Sequence, residues 1–266
     1  MRVALVHYWL LNHRGGERVL EAICRLFPQA DIFTLFYDPA KVSPVIRAHN
    51  VHASWLNPLR GIYRGLLPAM PMALESFDLR GYDLVISSES GPAKGVLTHS
   101  TTRHICYCHS PMRYLWEQCA GARADLPGIA RLLFDPLSSY LRLWDYASAA
   151  RVDRFIANSQ NVRRRIRKAY RRPSRVVYPP VATHLFRNEP PEDYCLMVGE
   201  LVSYKRFDYA VRHFAAAGRK LKVVGKGPRY RELRRMANSS VEFCGPVTDE
   251  ELRGLYARCA AFIVPG

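Results

Sequence analysis

The sequence predicts an α/β protein of two lobes built from βαβ units, and three observations predict it. Short apolar runs alternate with stretches of helical periodicity along most of the 266 residues, the signature of βαβ units. Several runs, such as DLVIS at 83–87, are apolar on both faces, which suits parallel strands covered on both sides of a sheet. The alternation breaks at Tyr178-Pro179-Pro180 and again at Pro190-Pro191, then starts afresh; prolines mixed with charges mark a linker. Length agrees, since one domain per ~150 residues allows roughly 1.8 domains.

Taken in order, residues 2–7 read as a first strand and 17–27 as a helix. There Val19, Leu20, Ile23, Leu26 and Phe27 recur at three- and four-residue steps, so they form the buried stripe and Glu17, Arg18, Glu21 and Arg25 face away. Further strands are expected at 31–36, 83–87, 104–108 and 153–157. Between 51 and 79 prolines 58, 68 and 71 interrupt an aromatic-rich stretch, read as helices broken by proline. Beyond the linker, strands are expected at 194–198, 220–224, 241–244 and 260–264, with helices at 208–217, 230–236 and 249–258. The boundaries that follow are a first domain at 1–185 and a second at 192–266. About four strands fit in the second, fewer than a doubly wound lobe usually carries, so that lobe is expected to be incomplete.

Composition narrows the classes of function. At 48% hydrophobic residues the chain is neither disordered nor fibrous, and 39 Lys+Arg against 23 Asp+Glu leave a net charge of +16. Such an excess attracts anions: nucleic acid, an acidic membrane surface, or phosphorylated small molecules. The first residues lack the form of a signal peptide, because His7 interrupts the apolar run and no small-residue cleavage site follows. No apolar stretch approaches the ~18 residues of a membrane span. The seven cysteines are odd in number and scattered, which reads as reduced thiols and a cytoplasmic location. Cys106, Cys108 and His109 cluster without a second half of a zinc site, so no metal is expected there.

Four features carry chemistry. Gly15 and Gly16 lie between the first strand and the first helix, where missing Cβ atoms and free helix N–H groups admit an anion; a tight turn with no ligand is the other reading. His109 stands just past a strand, at a sheet edge where ligands bind, although a lone histidine is more often structural. Lys205 and Arg206 also follow a strand, and two cations there can hold a diphosphate. The run RRRIRKAYRR places Val162, Ile166, Ala169 and Tyr170 on one helical stripe and the cations opposite. That face is open to solvent, to membrane phosphates or to nucleic acid. Several signatures are missing: G-x-G-x-x-G fails at Tyr230, and there is no P-loop, no G-x-S-x-G and no Asp-x-Asp pair.

Eight strings taken together resemble the retaining GT-B glycosyltransferases of family 4, in particular bacterial mannosyltransferase-like members that build surface polysaccharides. They are VALVHYWLLNHRGGERVLEAI, YDLVISSESGPAKGV, ICYCHSPMRYLW, FIANSQNVRRRI, VVYPPV, LMVGELVSYKRFDYAV, VVGKGP and VEFCGPVTDEELRGLYARCAAFIVPG, in the family's order over nearly the whole chain. The resemblance implies two Rossmann-like lobes facing a cleft, with the acceptor on the first and a nucleotide-sugar donor on the second.

By analogy, Gly15 and Gly16 lie against donor phosphates and acceptor, His109 contacts the transferred sugar, and Lys205 holds the diphosphate with Arg206 assisting. Gly225, Gly227, Pro228, Gly245 and Val247 then line the nucleobase pocket. The implied donor is a nucleotide-activated hexose, GDP-mannose as first guess, with neither cofactor nor metal. The implied acceptor is a lipid-diphosphate-linked sugar or polysaccharide. Transfer is expected with retention, the departing phosphate helping to take the acceptor proton, so that charge on the leaving diphosphate controls the rate.

Arg163, Arg164, Arg167, Lys168 and Arg171, with the aromatic region around Trp55 and Tyr63, are expected to bring the enzyme peripherally to the anionic inner face of the plasma membrane. Two departures stand out. Glu200 occupies a position where many members carry arginine, and the chain ends before the family's Glu-x₇-Glu element, so a truncated and inactive chain is one expectation. The alternatives are a basic nucleic-acid-binding module and a non-catalytic remnant or partner subunit that completes its donor lobe with another polypeptide.

Overall fold

In the computed structural model, which describes every residue except 125, 127 and 266 and the side chains of 129 and 130, the chain divides into two compact units, Met1–Pro180 and Val181–Gly266.

Unit 1 runs β1 (Val3–His7), α1 (Gly15–Leu26), β2 (Asp31–Thr34), α2 (Pro44–Arg47), β3 (Val51–Ala53), α3 (Met70–Glu75), β4 (Leu84–Glu89), β5 (Arg103–Cys108), α4 (Cys119–Ala124), α5 (Gly128–Ala149), β6 (Arg154–Ala157), α6 (Gln160–Tyr170) and β7 (Ser174–Val176). Its strands form one parallel sheet in the order β3-β2-β1-β4-β5-β6-β7. All five residues of β1 are buried because apolar clusters cover both faces: Val6, Phe33 and Leu74 with the β3–β4 connection on one, and Leu5, Leu20 and Ile32 with α1 on the other. The strand order reverses at β1, whose neighbours are β2 and β4, and His7 ends in register with Thr34 and Ser88. In open α/β sheets the crevice beyond the strand ends at such a reversal is where ligands bind.

Unit 2 runs β8 (Glu192–Val198), α7 (Phe207–Ala217), β9 (Leu221–Val224), α8 (Tyr230–Met236), β10 (Val241–Gly245), α9 (Asp249–Arg258) and β11 (Cys259–Phe262). Its parallel sheet has the order β10-β9-β8-β11, so β8 occupies the same reversal point that β1 occupies in unit 1. Helix α9 opens with a capping box: Thr248 Oγ1 accepts from Glu251 N at 3.2 Å and Glu251 Oε2 accepts from Thr248 N at 2.7 Å.

Two expectations change. In α1 the acids Glu17 and Glu21 are buried, at 3% and 8% exposure, while Leu26 is exposed. The acids are drawn inward by polar partners: Glu17 Oε2 accepts from the Arg14 N–H at 2.8 Å, and Glu21 lies 3.3 Å from His13. Leu26 closes the last turn, outside the stripe that Leu20 and Cys24 bury. The 51–79 region is only partly helical, holding edge strand β3, a kinked 3-10 stretch over Asn57–Ala69 and the short α3. The four predicted apolar positions of α6 are all buried. Arg163, Arg164, Arg167, Lys168 and Arg171 are exposed, whereas Arg165 pairs with Glu117 at 2.8 Å and Arg172 donates to the carbonyls of Ala149 and Val152. All seven cysteines are free thiols; four are buried and Cys119, Cys244 and Cys259 are half-buried.

Candidate functional site

In unit 1 the carboxyl ends of β1, β4 and β5 bring His7, Ser88 and His109 around the start of α1. Gly16 is the point of convergence: a Cβ there would stand 3.1 Å from the Tyr8 hydroxyl, 3.7 Å from His7 Cε1 and 3.8 Å from His109 Nε2. The glycine therefore keeps open the space between two imidazoles and the helix N-terminus. Gly15 meets nothing within 4 Å.

His109 is fixed by both its backbone and its ring. Its N–H donates to Glu89 O at 2.6 Å, and its Nε2 lies 3.1 Å from Ser88 Oγ. Burial, then the neighbouring His7, push its pKa down to about 4, so at neutral pH it is an uncharged hydrogen-bonding partner. His7 is fully buried, and among the described residues neither of its ring nitrogens has a hydrogen-bond partner. Its Nε2 faces Glu17 Oε1 at 3.6 Å. Burial alone would raise the Glu17 pKa, but the facing imidazole and the capped backbone N–H groups outweigh it and hold the carboxyl below its usual range. Tyr8 is pushed up to about 12 by burial and by Glu17, which keeps its phenol protonated.

Behind this constellation lies a buried ion cluster. Lys94, Glu89 and Asp145 are all at 0% exposure. The Lys94 ammonium bonds Asp145 and lies 3.7 Å from Glu89 Oε1, and Asp145 also accepts from Trp116 Nε1 and the Tyr170 hydroxyl. Lys94 N donates to Glu89 Oε2 at 2.9 Å. The cluster ties α5 and α6 to the end of β4, the strand whose last carbonyl holds the His109 N–H.

A cavity of about 530 Å³ opens beside Gly16, lined by Tyr8, Trp9, Asn12 and Arg14 from the β1–α1 connection, by Glu17 of α1, by Tyr63, Arg64, Leu67 and Met70, and by Ser90 and Tyr114 after β4 and β5. A smaller one of about 200 Å³ lies between the loop after His109 and α6, lined by Ser110, Trp116, Glu117, Arg165 and Lys168. Among the described residues, no three His, Cys, Asp or Glu side chains are grouped to hold a metal ion.

In unit 2 the loops after β8, β9 and β10 are knitted by backbone hydrogen bonds: Gly199 N to Val224 O, Leu201 N to Lys226 O and Gly225 N to Gly245 O, at 2.8–3.0 Å. Gly225 adopts φ +134, and a Cβ on it would come within 1.9 Å of Gly199 O; close chain packing, not ligand approach, demands this glycine. Gly227 lies against the Leu201 backbone. Pro228 is exposed, Gly245 accepts the Gly225 bond, and Val247 packs half-buried against the cluster of Tyr194, Leu196 and Val224. Lys205 ends a 3-10 turn and folds its ammonium over Gly199, 2.6 Å from where a Cβ would be. Arg206 turns instead to its own helix: its guanidinium reaches both Asp208 oxygens at 3.3 Å and stacks 3.7 Å from the Tyr209 ring centroid.

Sequence reasoning singled out Gly16 and His109 but passed over His7, Glu17, Tyr8 and Ser88 as functional groups. The available signal was His7 itself, a polar residue closing an otherwise apolar buried strand, with an acid directly after the glycine pair.

A family model for Glycosyltransferase Family 4 matches residues 13–185, and one for glycosyl transferases group 1 matches residues 192–266. No curated protein matches the chain in sequence. Among solved structures, the apo lipopolysaccharide outer core galactosyltransferase WaaB aligns with TM-score 0.61 at 13% identity, over 99% of this chain and 74% of its own. Anabaena HepE in complex with UDP aligns with TM-score 0.65 at 14% identity, over 98% and 73%. Sucrose-phosphate synthase from Thermosynechococcus elongatus aligns with TM-score 0.65 at 16% identity, over 100% and 76%. The two parallel sheets are those of the GT-B fold. With one model covering well over half of its length, the chain belongs to Glycosyltransferase Family 4 and is a transferase of the glycosyltransferase class.

Proposed function

We propose that the protein moves a hexose from a nucleotide-sugar to a lipid-diphosphate-linked sugar or growing polysaccharide, with retention of anomeric configuration and without a metal. The observation that carries the reading is the grouping of His109, Ser88, His7 and Tyr8 around Gly16 at the strand-order reversal of unit 1. An uncharged His109 suits contact with sugar hydroxyls, because a neutral imidazole can hydrogen-bond without competing for the phosphate charge. Lys205 supplies a cation for the leaving diphosphate, and negative charge developing on that group is what such a residue stabilises. The departing phosphate oxygen then takes the acceptor proton as the new glycosidic bond forms.

A nucleotide-sugar donor is supported by HepE, solved with UDP; for this chain GDP-mannose and UDP-glucose are the donors to compare. Incubating the purified chain with each donor and following nucleoside diphosphate release and product anomericity tests the reading. Transfer with an α-linked product from an α-linked donor is expected; inversion, or turnover unaffected by His109→Ala, overturns it. The nucleic-acid alternative is not favoured, since glycosyltransferase models cover 13–185 and 192–266.

The same proposal includes a cytoplasmic location, peripheral on the inner face of the plasma membrane. No helix among the described residues is long and apolar enough to cross a membrane. Support comes from two outer helix faces of unit 1: α6 presents four exposed cations, with its exposed C-cap Arg171 as a fifth, and α5 exposes Leu132, Leu133, Tyr140, Leu143 and Tyr146. A cationic face beside exposed apolar side chains suits an anionic bilayer surface. Co-sedimentation with vesicles containing anionic lipid, lost in purely zwitterionic vesicles and in an Arg163→Glu/Arg167→Glu variant, is the expected result; binding indifferent to lipid charge contradicts it.

A further inference from the structure

The buried ion cluster behind His109 is a poor choice if its task is only to hold the fold together. Lys94, Glu89 and Asp145 have no solvent exposure, and two carboxylates share one ammonium there. Apolar side chains of similar volume usually serve a fold as well as a buried ion pair, or better. The bonds that the cluster makes show what it keeps in place.

Those bonds close a circuit through His109. Its backbone N–H donates to Glu89 O at 2.6 Å, and the Glu89 carboxylate turns back on its own loop to accept from Lys94 N at 2.9 Å. The Lys94 ammonium bonds Asp145 of α5, and Asp145 Oδ2 accepts from Trp116 Nε1 at 2.8 Å. Trp116 follows His109 on the same stretch of chain, so the peptide that carries the histidine is gripped on both sides through one cation. Helix α5 adds two further holds: Arg142 Nε donates to Leu115 O and Arg151 to Gly95 O, both at 2.9 Å. The loop after β4 also reaches the opposite wall of the site. Gly91 lies against Tyr8, where an added Cβ would stand 3.3 Å from the tyrosine Cβ, and Ser90 lines the cavity beside Gly16.

We infer that Lys94 is a positioning residue for glycosyl transfer: its buried ammonium, set between Glu89 and Asp145, locks the 89–94 loop and the 109–116 segment at the spacing that sets His109 and Tyr8 about Gly16. The inference rests on the glycosyl-transfer reading above and adds to it a residue that acts only through its neighbours, being closed off from solvent. Without the ammonium, two carboxylates face each other in a dry interior, where they must separate or take up a proton. Either response loosens the loop.

The test compares Lys94→Met, and the uncharged triple variant Glu89→Gln/Lys94→Met/Asp145→Asn, with Val162→Ala, a core truncation in α6 outside the circuit. The triple variant keeps the side-chain shapes and leaves no carboxylate unpaired, so it carries the comparison if Lys94→Met does not fold. Two readouts are taken on the full chain. By NMR without substrate, the His109 amide should exchange at least about tenfold faster in both Lys94 variants, and the His109 ring signals, assigned by their loss in His109→Gln, should move. By steady-state kinetics, kcat per folded chain should fall about 10- to 10²-fold with donor KM changed less than about twofold. Val162→Ala should lower the melting temperature yet leave both readouts alone, which is also what a merely structural Lys94 would do. Unmoved His109 signals, or wild-type kcat, in the triple variant overturns the inference. If His109 responds as expected but the wild-type chain turns over no nucleotide-sugar, the circuit stands and the glycosyl-transfer reading fails; if the wild type turns over and His109 does not respond, the positioning role alone fails.

Discussion

Gly16 holds the two histidines, the tyrosine and the helix start at their spacing only because it has no side chain. A Cβ there would already touch the Tyr8 hydroxyl at 3.1 Å, so an alanine forces a small shift and a valine places two more carbons between His7 and His109. Gly16→Val is expected to cut turnover by about 10²-fold, since displacements of the order of 1 Å in a positioned site cost that much. Gly15→Ala, whose Cβ meets nothing within 4 Å, should cost under about tenfold. Steady-state kinetics on the two variants, with thermal melts as control, checks the contrast. At this scale the sequence was legible where a residue is punctuation: a glycine pair after a strand, a histidine just past another. It was not legible where a tertiary partner decides. A helical wheel turns Glu17 outward, and only the presence of His7 on β1 and the N–H of Arg14 explains why the carboxylate is buried.

Elements are held in register here by unlike means in the two units. In unit 1 the end of β4 is anchored to α5 and α6 through Lys94, and burial pushes the Glu89 carboxyl up to about 7. Because its folded pKa exceeds its unfolded value, the contribution of Glu89 is fully present below the unfolded pKa and is lost as pH rises through about 7. Glu89→Gln removes that loss, so the melting temperature of the variant relative to wild type should climb between pH 5 and pH 8. A difference that stays flat or falls across that range would show that Glu89 ionises freely in the folded chain.

In unit 2 the loops after β8 and β9 are joined by backbone contact, and the Cβ of Gly225→Ala would sit 1.9 Å from Gly199 O at a φ of +134. A cost above about 2 kcal/mol is expected, seen as early amide exchange in β8 and β9 while unit 1 amides keep their protection. Most strands could be read beforehand because their apolar runs are buried on both faces. β3 and β7 are three-residue edge strands with too few positions for a period to show. α5 carries Pro136 and exposed leucines, which blur the one-sided stripe on which helix recognition depends.

At the scale of the whole chain, one arrangement is used twice: a parallel sheet whose first strand lies between its second and fourth, β1 in unit 1 and β8 in unit 2, with the loop after that strand carrying the candidate chemistry. The repetition explains why a second alternation beyond the prolines could be recognised from the sequence. It also makes a mechanical prediction. Apolar clusters form within each unit, whereas residues 177–188 are exposed throughout, containing only a three-residue 3-10 turn at Thr183–Leu185. Exposed backbone without strand or helix pairing is where proteases cut first. Trypsin at low ratio should therefore cleave after Arg187 before it cleaves within α6, although that helix offers six Lys and Arg over Gln160–Tyr170 and its C-cap Arg171, because helical backbone must first unfold locally to enter the protease. Mass spectrometry of the early digest should show fragments 1–187 and 188–266. Early cleavage at Arg163, Arg167 or Lys168 would instead mean that α6 opens more easily than the connection, and would remove the ordered cationic face on which the membrane reading depends.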